Sequence, residues 1–543
     1  MKKKYLAMLC AVTVTVSMMT CGGTVFAEEN TAAGAMQQEV QAESETEILL
    51  SDEGITVNGE QISSNASDAV YGGAQIVYYK SGQDALYGEG DEEDGHTEEE
   101  AAEHTVITIT APGTYRVKGS ISKGQIAIDL GEDSREDESA VVNLILDQAE
   151  INCSVAPAIV VYNAYECGSD DEETATKDVD TTNGGFHLIL ADGSENTVNG
   201  SYVAKIYKEG MTQEEVDAGE AKKQWKFDAA IDSLVSFEID GEEEKDGVLK
   251  VTAENEGISS GLHMTINGGT VDIHSGDDAI NTSEDGVSVF TVNDGTLICN
   301  SNLGKEGDGI DSNGWIVLNG GSVTSYANPD SQDSRVDSDL GIYVNGGTLL
   351  SGGNMYDEIS EDSEQPFLVL SFQEQAEGGQ LLMLKDSTEE PIAAFGAENQ
   401  FTTLVYSSDL LTDGEDTLYK VSSVDGELDG NIYTNIISYE DAVQLQYSTT
   451  GMMGPGGGQG ERPEMSEGME MGERPEKPEG MENGERPEKP EGMENGERPE
   501  LPEGMEKGMG PGGANAEQES GEPSSVFTIS GVRNIFSQIT EAE

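Results

Sequence analysis

Aromatic residues are scarce in this chain, 6 % of the whole, with tryptophan only at Trp225 and Trp315. That composition suits an elongated solenoid better than a compact globule packed around large side chains. Basic residues are few too: 28 Lys and Arg stand against 106 Asp and Glu, a formal net charge of −78. Nucleic acid and anionic membrane are thereby excluded as default partners, and an acidic polymer can approach only through bridging cations. Of the five cysteines, Cys153, Cys167 and Cys299 lie beyond the N-terminal leader. Three make no disulfide framework and show no CxxC metal spacing, so only a Cys153–Cys167 pair is left open. His263 and His274 fit no zinc motif and read as surface residues. After the leader no apolar run is long enough to span a membrane.

The leader has the marks of a secretory signal over residues 1–27. Lys2-Lys3-Lys4 is its basic start, residues 5–19 are mostly apolar, and Val25-Phe26-Ala27 places small residues for cleavage. A lipoprotein site at Cys21 is the alternative, although Met18-Met19-Thr20 fits such a site poorly. The expected product is secreted or associated with the cell surface.

What the sequence has in quantity is a repeat. Asn267-Gly268-Gly269-Thr270 recurs every 26 residues as Asn293-Asp294-Gly295-Thr296, Asn319-Gly320-Gly321-Ser322 and Asn345-Gly346-Gly347-Thr348. Asn-Gly and Asp-Gly suit turn positions that need positive φ. Apolar residues alternate before each turn (Met264 and Ile266, Phe290 and Val292, Ile316 and Leu318, Ile342 and Val344) and again after it (Val271 and Ile273, Leu297 and Cys299, Val323, Leu349). Alternation with a period of two marks strands, and a fixed period with several short strands marks a solenoid. The expected fold is all-β, a right-handed parallel β-helix over 105–365. An acidic, partly disordered region (28–104) precedes it, and a β-rich cap follows (366–450). Residues 451–523 are a low-complexity acidic spacer whose twelve-residue unit begins Gly-Glu-Arg-Pro four times. A short segment of strand character closes the chain (524–543).

Equivalent positions of a solenoid stack one strand spacing apart, roughly 4.8 Å. A second recurring motif therefore becomes a ladder of carboxylates: Asp277, Asp278 and Asn281, then Asp308 and Asp311, then Asp337 and Asp339. Weaker echoes precede it at Asp228-Ala229-Ala230-Ile231-Asp232 and Asn255-Glu256-Gly257-Ile258. Like charges so crowded repel, and hard oxygens at this density suit Ca²⁺. Plain turn chemistry is the competing explanation for the same Asp-Gly pairs. Trp315, Tyr326 and Tyr343 fall at outward positions, where ring faces either stack on sugars or pack beneath insertions.

Other motifs carry less. Gly257-Ile258-Ser259-Ser260-Gly261 has the nucleophile-elbow pattern but sits inside a β coil, where that motif has no meaning. Lys305, Arg335 and the more distant Lys250 are candidate bases for a calcium-assisted lyase, and none has a second base beside it.

Taken together, Thr108-Ile109-Thr110-Ala111-Pro112-Gly113-Thr114-Tyr115-Arg116-Val117-Lys118-Gly119, Gly124-Gln125-Ile126, Leu188-Ile189-Leu190 with Asn196-Thr197, the Asn-Gly-Gly-Thr turns with Asp-Gly-Ile, and Val405-Tyr406-Ser407-Ser408 resemble a family of secreted bacterial carbohydrate-binding proteins related in fold to pectate lyases. The resemblance implies a right-handed parallel β-helix, bound calcium, and affinity for plant cell-wall polysaccharides such as cellulose or pectic acid, without hydrolysis. The expected function is thus a calcium-dependent, non-catalytic polysaccharide-binding protein. A β-helix polysaccharide lyase and a purely structural surface solenoid are the alternatives.

Overall fold

The structure, a computed structural model, describes residues 45–330, 334–448 and 522–542. The signal-peptide reading and nearly all of the low-complexity repeats lie outside the described residues. The fold is all-β, with two short α-helices at Glu98–Ala102 and Gln213–Asp217.

Three ladders of parallel strands run through the repeat region, and each coil of chain adds one strand to each. The first joins Phe237–Gly241, His263–Ile266, Val289–Val292, Trp315–Leu318 and Gly341–Val344. The second joins Val248–Ala253, Thr270–His274, Thr296–Asn300, Ser322–Tyr326 and Thr348–Gly353. The third joins Ile159–Asn163, Ala229–Ser233, Glu256–Ser260, Ile280–Thr282, Ile310–Ser312 and Asp337–Ser338.

The register follows the sequence columns. Met264, Phe290, Ile316 and Ile342 pair in series and are buried, as are Val271, Leu297, Val323 and Leu349. Burying each such side chain contributes about 1.5–3 kcal/mol, so the columns hold the coils together. Cys299 is fully buried beneath the second ladder, as its column implied. Between the first two ladders, Gly269, Gly295, Gly321 and Gly347 take φ of 78°, 87°, 71° and 75°. The adjacent asparagines form a continuous ladder: Asn293 donates to Asn267, Asn319 to Asn293 and Asn345 to Asn319, at 2.9, 3.0 and 3.0 Å.

Both ends of this stack are covered. Thr46–Leu50 adds a parallel strand to Gly113–Ile121, and Val70–Ala74 pairs antiparallel with Thr105–Ile109. The acidic run of 89–103, part of the region expected to be partly disordered, instead forms a 3₁₀ turn and a helix. Thr97 and Glu100 cap each other there, and Ala101 is buried beneath. Acidic residues in a first helical turn satisfy backbone donors, and composition alone misses that.

At the other end, Phe401–Ser407 pairs antiparallel with the last coil strand Thr348–Gly353, which opens an antiparallel cap. The C-terminal strand Arg533–Glu541 lies between Phe367–Ala376 and Val443–Gln446, and Phe527, Ile529, Phe536 and Ile539 are buried in the cap core. Tyr447 and Ser524 are bridged by two backbone hydrogen bonds of 2.9 Å. The C-terminal segment thus docks back on the cap.

Candidate metal and polysaccharide site

The third ladder carries the acidic column. Asp232, Ser259, Asn281, Asp311 and Asp337 pair in register, one per coil. The residue on either side of this column on each strand points inward: Ile231, Ile258, Ile280 and Ile310 are fully buried, as are Ser260, Thr282 and Ser312. Alternation thus pins the carboxylates to the outer face while the isoleucines hold their backbones.

Oxygens of Asp308, Asp311 and Asp337 all lie within 4.8 Å of one another. Next to them, the Asp308 backbone N–H donates to Asp278 Oδ1 at 2.7 Å. Asn281 Nδ2 donates to Glu256 Oε1 at 3.0 Å, while Glu256 Oε2 and Asn281 Oδ1 are buried with no hydrogen-bond partner. An orphaned buried carboxylate oxygen costs about 1–3 kcal/mol or more unless a donor or cation meets it.

The electrostatics agree. Burial, reinforced by Glu256, Asp308, Asp277 and Asp311, pushes the Asp278 carboxyl well above its ordinary range. Burial and then Asp337 and Asp339 raise Asp311 to about 7. Burial and Asp228 raise Asp232 to about 8, and burial with the same neighbour raises Glu256 well up. A carboxylate cluster whose strongest neighbours are further carboxylates must hold protons or gain a cation. Clustered carboxylate oxygens beside a side-chain amide oxygen match calcium's preference for hard, flexible coordination.

Of the residues expected to bind metal, Asp277, Asp278, Asn281, Asp308, Asp311 and Asp337 line this face, half-buried. Asp339 is on the same side but exposed, outside the close trio, and its backbone N–H is spent on Ser312. The sequence reading left out Glu256, Asp228 and Asp232 as ligands. Their signal was the weaker echo of the motif: the register places Asp232 in the column itself, and Glu256 opposite Ala229 on the neighbouring coil.

The aromatic expectation needs correcting. Tyr326 is fully buried: its hydroxyl donates to Gly396 O at 3.2 Å and accepts from Asn431 Nδ2 at 2.8 Å, inside the cap. It does leave the coil outward, but the cap's core closes over it. Trp315 and Tyr343 are half-buried. The insertion at 168–180 lies over that flank. A Cβ on Gly168 would sit 2.5 Å from the His263 ring, and the Lys177 ammonium is 5.1 Å from the Tyr343 ring centre.

His263, expected at the surface, is consequently buried at 3 % exposure, with its pKa depressed to about 4 by burial and its Nδ1 accepting from Val289 N. His274 is half-buried, with 41 % of its side chain exposed. Cys153 and Cys167 are both free, so that pair is absent. Arg335 is no accessible base either: it is 1 % exposed and donates to Thr403 O at 3.2 Å. Lys305 and Lys250 are exposed.

With this geometry in hand, comparison with known proteins is informative at the level of family. Residues 103–367 match the carbohydrate-binding domain-containing protein family. The likeness read from the sequence motifs is thereby shown, and the match contains all three ladders of the repeat region. Carbohydrate is the ligand class that this family's description names. Among solved structures the chain is similar to a polysaccharide lyase-like protein from C. thermocellum, solved as a gadolinium derivative. That likeness has 17 % identity and a TM-score of 0.33, covering 59 % of this chain and 98 % of the other. So loose a superposition bears on neither fold nor chemistry. No curated protein matches the sequence. Among the described residues, no helix is long and apolar enough to cross a membrane.

Proposed function

We propose that the protein is an exported, calcium-dependent and non-catalytic polysaccharide-binding protein, wound as a right-handed parallel β-helix, whose working face is the acidic ladder. The observation that carries this reading is the convergence of Asp308, Asp311 and Asp337 within 4.8 Å, beside the orphaned oxygens of Glu256 and Asn281. The other two flanks are occupied in these coils. The 168–180 insertion lies over the first ladder, and the cap reaches the second, where Thr296 donates to Asp429 at 3.3 Å. The acidic flank is long and set at one strand spacing, which suits a polymer lying along several coils.

Calcium held there by Asp277, Asp278, Asn281, Asp308, Asp311 and Asp337 would supply the positive charge that an acidic polymer needs to approach a protein of net charge −78. Pectic acid is therefore the favoured plant cell-wall ligand. Cellulose would depend on the exposed parts of Trp315 and Tyr343, with Tyr326 no longer available to it. The lyase alternative loses Arg335 to burial and retains Lys305, an exposed lysine in a loop, and the more distant Lys250.

The test is retention of the mature full-length chain on polygalacturonate and on cellulose, with calcium or with chelator. Calcium-dependent retention without product is expected. Release of ultraviolet-absorbing unsaturated uronides would make it a lyase. Failure to bind either polymer in calcium would leave a structural role.

A further inference from the structure

The acidic ladder is not uniform along its length. Its first compartment is made by Asp228, Asp232 and Glu256, two coils in register, and there a side chain from outside the repeat enters. The antiparallel pair Val203–Tyr207 and Lys223–Phe227 is an insertion, anchored by Trp225 packing at 5.5 Å on both Tyr162 and Phe227. It carries Lys226, whose ammonium meets Asp228 Oδ2 at 2.5 Å. The Lys226 side chain is 43 % exposed, and its ammonium is paired with Asp228. Its field acts on Glu256 and Asp232 as well, which hold its proton more tightly than usual.

Glu256, 6 % exposed, turns an unpartnered Oε2 into this compartment and shares its other oxygen with Asn281 of the next coil. No such lysine is found among the strongest charges on Asp278 or Asp311, which are all carboxylates.

We propose that Lys226 is a tethered substitute for a metal ion: its ammonium occupies the head of the ladder and confines divalent cations to the coils from Asp277 onward. The compartment it fills is a latent calcium site, with Asp228, Asp232 and Glu256 as the hard oxygen ligands. This inference rests on the calcium reading of the downstream coils. A lysine and a metal ion neutralise carboxylates alike, but the lysine is always present and cannot be chelated. The first compartment would accordingly stay assembled in the absence of calcium, while the later ones respond to it.

The experiment compares the mature full-length chain with Lys226→Met, Lys226→Gln and Lys226→Arg by equilibrium dialysis with radioactive calcium. Terbium luminescence sensitised by Trp225 is read in a Trp315→Phe background. One more calcium per chain in the Met and Gln variants, an unchanged count in the Arg variant, and terbium emission that appears only when the lysine charge is removed are expected. If Met or Gln leaves the chain unfolded in chelator, restoration by calcium is the expected result, and failure of calcium to restore it overturns the proposal. Equal calcium counts in wild type and Met variant also overturn it, while leaving the downstream sites standing. A wild type that binds no calcium sinks the downstream reading instead. In that case one ion in the Met variant still supports the role of Lys226, and none refutes it.

Discussion

Replacing Asp311 by Asn should stabilise the calcium-free protein at neutral pH, an unusual outcome for a half-buried residue of a folded protein. The carboxyl is raised from 3.8 to about 7, first by burial and then by Asp337 and Asp339. A shift of that size corresponds to about 4 kcal/mol, and water at the partly open face reduces it to roughly 2–4 kcal/mol. The direction follows from proton counting. The folded pKa lies above the unfolded one, so between about pH 4 and pH 7 the native state holds a proton that the unfolded state has released. Stability from this group is present at low pH and is lost as pH rises through that window.

In chelator, wild type should therefore lose several degrees of Tm between pH 5 and pH 8, and Asp311→Asn distinctly less. In calcium the order reverses. A metal at a thousandfold excess over its Kd returns about 4 kcal/mol to the wild type, while the variant has lost a ligand and gains less. Differential scanning calorimetry across that pH range, with chelator and with millimolar calcium, checks both halves. The reasoning is refuted if the two proteins show parallel pH profiles in chelator, or if calcium raises both Tm values equally.

Three further outcomes are expected. Tyr326→Ala should cost about 3–5 kcal/mol of stability, because the ring fills the seam between coil and cap; lost cellulose retention at unchanged Tm would instead restore the ring as a sugar platform. Asn319→Ala removes two links of the asparagine ladder and should lower stability by about 1–2 kcal/mol, measurable by urea unfolding, whereas no loss would make the ladder ornamental. A single protease cut engineered between Tyr447 and Ser524 should leave two fragments that co-elute under native conditions, since Phe527, Ile529, Phe536 and Ile539 stay buried in the cap. Separation of the fragments without denaturant would refute that packing.

Local chemistry accounts for what was legible in the chain. The 26-residue register, the inward columns, the glycine turns and the stacked asparagines all depend on residues close in sequence or at one fixed spacing. The carboxylate ladder was legible for the same reason, including Asp308, Asp311 and Asp337. Burial by other segments was not. Whether an outward ring meets solvent depends on what lies above it, and the cap over Tyr326, the insertion over His263 and the strand pairing at Tyr447 and Ser524 join residues far apart in the chain. Lys226 and Asp228 are two residues apart in the chain, but only the stacking of the next coil brings Glu256 into the field of the same lysine. Periodicity in a repeat is enforced by contacts between identical positions, so it is written in the sequence. The insertions and caps obey no period, and their places are set by the apolar surface that the finished stack leaves for them to cover.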